Sequence, residues 1–124
     1  MISHTTLGTN NLEKAEAFYD QLLPLLGGAK VMKTDRVIFF SFKNHEAKLA
    51  ISKPFDGEPA TNGNGTMVAF SAESDETVSA VYAKAISLGA TDEGAPGPRL
   101  DGLYFGAYFR DLDGNKLAVF HRPA

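Results

Sequence analysis

Three histidines, four tyrosines and no cysteine bound the chemistry open to this 124-residue chain. Without cysteine there is no disulfide, thiolate zinc site, iron–sulfur cluster or thiol nucleophile. The histidines stand at 4, 45 and 121, with no local metal-ligand spacing. His45 falls in an expected turn and reads as solvated, and His121 reads as a surface or capping residue. His4 differs, because its strand position turns it toward an expected cavity. There it suits acid–base work near neutral pH, a hydrogen-bonded contact or metal ligation. Tyr104 and Tyr108 share a strand face with Gly106 and Arg110, an aromatic and polar set that suits a partly wet ligand face. Arg110 can grip a carboxylate or phosphate bidentately, or pair with Asp111 or Asp113.

Other motifs fail on their spacing. In Asp111-Leu-Asp-Gly-Asn115 the glycine is fourth rather than sixth, and Arg122 stands where a calcium loop needs its Glu. It reads as a hairpin turn. Gly63-Asn-Gly-Thr lacks the following Lys of a phosphate loop, and no Gly-x-Ser-x-Gly nucleophile elbow occurs.

The elements that must hold these residues follow from periodicity. Ile2–Thr9 reads as a short strand. Asn10 or Asn11 caps a helix whose apolar residues Leu12, Ala15, Phe18, Tyr19, Leu22 and Leu26 return at helical spacing, with a stop at Gly27. Ala29–Thr34, Arg36–Phe42 and Ala47–Lys53 read as strands, with a turn at Lys43–Glu46. Pro54–Gly65 is a Pro-, Gly- and Asn-rich linker. The order then repeats: a strand at Thr66–Ser71, a helix at Ser74–Leu88, and strands at Leu103–Arg110 and Lys116–His121. Ala90–Leu100 reads as mostly loop. In register, Tyr19 falls on Tyr82, Ala17 on Ala80 and Glu13 on Glu76. Two such units predict an α+β fold of two βαβββ repeats, 1–56 and 63–124, in one domain over 1–124. Their open, half-barrel sheet would surround a cleft. Alternation places His4, Thr6, Met67 and Ala69 on the cavity side. Thr5, Leu7, Val68, Phe70, Leu103, Phe105, Ala107 and Phe109 go to the helix side.

Composition narrows the partners. Lys and Arg number 12 against 15 Asp and Glu, a net charge of −3, and the basic residues are scattered. That argues against nucleic acid. No apolar run approaches a membrane span, and no leader-like segment is seen, so a cytoplasmic location is expected. A small molecule and a second copy of the chain are the expected partners.

The residues also resemble a known family. His4-Thr-Thr-Leu-Gly with Asn-Leu-Glu-Lys-Ala-Glu-Ala-Phe-Tyr-Asp is similar to the opening of glyoxalase/bleomycin-resistance/extradiol-dioxygenase proteins, the vicinal oxygen chelate superfamily. Gly65-Thr-Met-Val-Ala-Phe, Ala95-Pro-Gly-Pro-Arg, Tyr104-Phe-Gly-Ala and Arg110-Asp-Leu-Asp-Gly-Asn-Lys-Leu resemble its second half. The resemblance implies a divalent metal held by side chains from both halves, acting as a Lewis acid on a chelated substrate. Carried over by position, the first ligand falls on His4. The Glu of the fourth strand falls on Ala50, the His of the Gly-Thr-His pattern on Met67, and the closing Glu on Ala118.

One of four positions is retained, so no metal site and no cofactor are expected. His45, Glu46 or His121 would have to substitute if a divalent metal were bound. The resemblance therefore implies a metal-free small-molecule binder, as in bleomycin-resistance proteins, and a homodimer. Ala50, Met67 and Ala118 would widen the cavity, while Thr6, Arg99, Tyr104, Tyr108 and Arg110 contact the ligand. The alternative is a lyase or isomerase resembling lactoylglutathione lyase, with His4 as catalytic acid or base or as metal ligand.

Overall fold

The computed structural model describes residues 1–123. Strands β1 (His4–Gly8), β2 (Gly28–Lys33), β3 (Val37–Phe42) and β4 (His45–Ser52) form one sheet in the order β1-β4-β3-β2. Strands β5 (Val68–Ser71), β6 (Thr91–Arg99), β7 (Tyr104–Arg110) and β8 (Lys116–His121) form a second in the order β5-β8-β7-β6. Each sheet has one parallel pair, β1 with β4 and β5 with β8, and antiparallel neighbours elsewhere. Helix α1 (Leu12–Leu22) serves the first sheet and α2 (Asp75–Ser87) the second. The repeat that lays Tyr19 on Tyr82 is thus two βαβββ units with open sheets.

Both helices start where a short polar side chain can take an orphan N–H. Asn11 accepts from the Lys14 amide at 3.0 Å, and Ser74 from the Thr77 amide at 3.1 Å. The first helix is shorter than its apolar period suggests. Pro24 has no amide to donate, so Leu23–Leu26 tighten into a 3₁₀ turn, and Gly27 closes it at φ 76°. The apolar stripes meet in one core that spans both units, with Leu22, Leu23, Val78, Val81, Phe109 and Leu117 fully enclosed.

Three expectations are corrected. The turn after β3 is confined to Lys43 and Asn44, which takes φ 66°, so His45 and Glu46 open β4 rather than sitting in the turn. Residues Thr91–Arg99 are a strand rather than a loop. Its glycines and prolines are tolerated because β6 lies at the sheet edge, and its register against β7 shifts at Asp92–Gly94 and Gly94–Gly97. Leu103 lies outside β7 and is 53% exposed, so it does not pack on the helix. The other helix-side residues of that strand, Phe105, Ala107 and Phe109, do join the core or pack against it.

A polar network ties the units together through the turn before β8. The Tyr19 hydroxyl, carried on α1 and 1% exposed, donates to Asp111 Oδ2 at 2.5 Å. Asn115 Nδ2 donates both to that oxygen and to the Gly8 carbonyl, each at 2.9 Å. The Asn10 amide donates to Asp113 Oδ1 at 2.8 Å. Burial and the Asp111 carboxylate push the Tyr19 hydroxyl well above the ordinary tyrosine range, so it stays a donor.

Candidate functional site

The register of the sheets reproduces one geometry twice. On the first sheet Thr6 pairs with Ala50, and His4 lies two residues back along β1 on the same face. On the second, Ala69 pairs with Ala118, and Met67 precedes it in the same way. His4 and Met67 are therefore equivalent, as are Ala50 and Ala118. Both alanines are covered, at 0% and 3% exposure, whereas His4 and Met67 are open. The His4 ring has Nδ1 at 3.0 Å from the Ser3 hydroxyl and packs edge-on against Phe39 at 5.0 Å between centroids. That leaves Nε2 as the nitrogen able to meet a ligand.

On the second face, Met67, Ala69, Tyr104, Tyr108, Ala118 and Phe120 line a cavity of about 310 Å³. Leu100, Leu103 and Arg122 complete its rim. The Tyr104 and Tyr108 hydroxyls are hydrogen-bonded to each other. That bond, with partial burial, raises the Tyr108 hydroxyl above its ordinary value. In a neutral pair one O–H serves the partner and the second remains for an acceptor on a ligand. Glycines make room for these rings. An ideal Cβ at Gly106 would lie 2.9 Å from Tyr104 Cε2, and one at Gly94 would lie 3.1 Å from Tyr108 Cδ2. The cavity rim carries strain as well. Leu100, Asp101 and Gly102 all have left-handed backbone, at φ 50°, 54° and 83°, about 1–2 kcal/mol for each of the first two.

Two of the sequence-predicted arginines are held by the protein. Arg99 donates to the Ala95 and Pro98 carbonyls, and its guanidinium lies 5.6 Å from the Tyr108 ring centroid, with Lys116 Nζ at 5.7 Å from the same centroid. Arg110 pairs with Glu93 at 2.9 Å and donates to the Gly114 carbonyl at 2.8 Å, so its carboxylate partner is neither Asp111 nor Asp113. The β6 strand brings Glu93 across, which explains the difference. Thr6 lies apart from the tyrosines, on a separate first-sheet cavity. A third cavity, of about 320 Å³, lies between the units and is lined by Thr5, Phe42, Leu49 and Phe70. His45 borders it, while His121 Nδ1 is 2.9 Å from Asp75 Oδ1 at the start of α2. Leu100 and Leu103 are not legible as cavity residues, because their placement depends on how β6 turns into β7. Phe120 and Arg122, by contrast, follow Ala118 by alternation along β8, a signal the sequence reading did not use.

A family model of the Glyoxalase/Bleomycin resistance protein/Dioxygenase superfamily matches residues 1–119. The chain belongs to that superfamily. A glyoxalase/bleomycin resistance protein from Albidiferax ferrireducens is 39% identical, superposes with a TM-score of 0.90, and is matched over 99% of each chain. Lactoylglutathione lyase from Agrobacterium tumefaciens is 23% identical with a TM-score of 0.70, over 98% of this chain and 92% of that one. The fosfomycin resistance protein FosX from Listeria monocytogenes is 20% identical with a TM-score of 0.74, over 99% and 93%. The last two likenesses establish shared fold alone. No curated protein matches.

The glyoxalase superfamily's divalent metal does not fit the residues present. At its four ligand positions this chain offers one imidazole, one thioether and two methyl groups. Among the described residues no three His, Asp or Glu converge to make up the deficit. Such metals want three or more nitrogen or oxygen donors, and a thioether is a soft, weak ligand for them. What the second face can do is enclose an apolar group and present a hydroxyl to it.

Proposed function

We propose that this glyoxalase-superfamily chain binds a small organic molecule on its sheet faces without a resident metal. The observation that carries the reading is the paired alanine at both half-sites: Ala50, which pairs with Thr6 on the His4 face, and Ala118, which pairs with Ala69 on the Met67 face. Each removes a carboxylate and leaves a covered methyl, and on the second face Tyr104, Tyr108 and Phe120 surround the space. Burial of the ligand's apolar part at about 25 cal/mol per Å² supplies affinity, and the free tyrosine proton supplies orientation.

We infer further that the binding unit is a homodimer. β1 and β5 are edge strands, Ile2 and Met67 are 69% and 44% exposed, and no described cavity joins Thr6 to the tyrosines. A second copy that brings one chain's first face against the other's second face would close both. Light scattering is expected to give twice 13.3 kDa.

The binding reading is tested by thermal shift against a panel of neutral aromatic and carbonyl compounds. Ligands at a hundredfold excess over Kd are expected to add about 2.7 kcal/mol, and Tyr108→Phe to weaken the shift. A second reading rests on His4, whose free Nε2 suits proton transfer. Turnover of a glutathione hemithioacetal that vanishes in His4→Ala would establish the lyase instead.

A further inference from the structure

The first unit carries a second cavity, of about 400 Å³, that is unlike the tyrosine cavity in charge. Thr6, Gly8 and Ser52 form its floor, and the segment Lys53–Thr61 wraps its side with Arg36. This segment reads as a linker in sequence, yet it is clasped. Asn10 Nδ2 donates to the Ala60 carbonyl at 3.2 Å, and the Ala60 amide returns a bond to Asn10 Oδ1 at 2.7 Å.

Arg36 is oriented by one end only. Its Nη1 donates to Ser52 Oγ at 3.3 Å and to the Lys53 carbonyl at 3.4 Å. Among the described residues, no bond is made by Nε or Nη2, and neither Arg36 nor Lys53 has a carboxylate within ion-pair distance. Asp56 also lines the cavity, and its Oδ1 accepts from the Glu58 amide. Two cations therefore face one carboxylate. The Nε and Nη2 edge is the side of a guanidinium that takes a carboxylate through two parallel hydrogen bonds.

Beside this edge stands Phe55, a large apolar ring that is 91% exposed. The Arg36 guanidinium lies 5.4 Å from its centroid, which fixes the ring next to the cation while leaving most of its surface in water. An unpaired guanidinium edge, a second cation and an uncovered aromatic ring converge on one cavity. Together they select an anion with a flat apolar body.

We propose that this cavity is a binding site for an aromatic carboxylate. Its carboxylate lies on the Nε and Nη2 edge of Arg36, with Lys53 as the second positive charge, and its ring covers Phe55. The site shares Thr6 with the face that the proposed dimer would close, but it is built on other residues and stands whether or not the tyrosine cavity binds anything.

The probe is 2-naphthoate, titrated into the ¹⁵N-labelled full chain, with neutral 2-naphthamide and with acetate as controls. 2-Naphthoate is expected to move the amide resonances of Arg36, Ser52, Lys53 and Phe55 in a saturable way. Naphthamide and acetate are each expected to bind on the order of tenfold more weakly, the first for want of charge and the second for want of a ring. Arg36→Gln should weaken naphthoate on the order of tenfold, with Arg36→Lys intermediate because it keeps charge and loses the fork. Phe55→Ala should remove the advantage of naphthoate over acetate. Both substituted side chains are exposed, so unchanged resonances elsewhere will report an intact fold. Equal binding of naphthoate and naphthamide overturns the proposal. So does the absence of shifts at these residues, including a response confined to Met67, Tyr104 and Tyr108, which would leave the tyrosine-cavity reading standing.

Discussion

Replacing Tyr19 with Phe isolates a single hydroxyl at the junction of the two units. That hydroxyl donates to Asp111 Oδ2 at 2.5 Å from a residue 1% exposed, and the carboxylate itself is 5% exposed. A hydrogen bond to a charged acceptor is worth about 1.5–3 kcal/mol. Asp111 keeps Asn115 Nδ2 on the same oxygen and the Asp113 and Asn115 amides on the other, so the carboxylate is not orphaned. The expected loss is about 2 kcal/mol by urea unfolding at pH 7, with an unchanged m-value. The pH profile sharpens the test. Folding raises the Tyr19 hydroxyl above its unfolded value, so its contribution is complete below the unfolded pKa of about 10 and is lost as pH rises through the folded value. The stability difference between the native chain and Tyr19→Phe should therefore hold steady to about pH 10 and shrink above it. A variant as stable as the native chain, or a difference that does not shrink in alkali, would refute the lock.

Two further predictions concern other parts of the molecule. Glu16 bonds Lys30 at 2.6 Å and Lys33 at 2.8 Å, tying α1 to β2, and these lysines hold its carboxyl below the usual range. The contribution is present above the unfolded carboxylate pKa and fades as pH falls through the lowered folded value. Glu16→Gln should thus cost under about 1 kcal/mol at neutral pH, progressively less in acid, and less in 1 M salt, all read from urea unfolding. The combined change Ala50→Glu, Met67→His and Ala118→Glu restores the superfamily's donor types at the three positions that lack them, with the two half-sites meeting across the proposed dimer. Because positions 50 and 118 are covered, the variant should be destabilised without metal and regain stability with nickel, a gain visible in thermal unfolding.

The paired βαβββ architecture was legible because apolar period and caps agree locally. Leu12, Ala15, Phe18 and Leu22 mark one face, and Asn11 and Ser74 mark the starts. The β6 strand was illegible because Pro96, Gly97 and Pro98 are turn residues by local preference, and only a neighbour on one side makes them a strand. The Tyr19–Asp111 lock was hidden for a related reason. The turn Asp111–Asn115 is visible in sequence, but its buried partner comes from the other unit, 92 residues away. On the candidate site, alternation along β7 placed Tyr104 and Tyr108 on one face with Gly106, and the superfamily pattern brought out the vacancy of donors at 50, 67 and 118. Arg36 and Phe55 carry no motif. They become a pair only when the Lys53–Thr61 segment folds back over Thr6.

The absence of a resident metal is the central claim, and calorimetric titration of protein purified without chelator tests it directly. Nickel, zinc and manganese are each titrated into the native chain, with the metal content of the starting protein measured first. The donor set predicts substoichiometric metal as purified and no one-to-one binding tighter than roughly 10 μM, about −7 kcal/mol, for any of the three. One equivalent of tightly bound metal per chain, lost on His4→Ala, would contradict it.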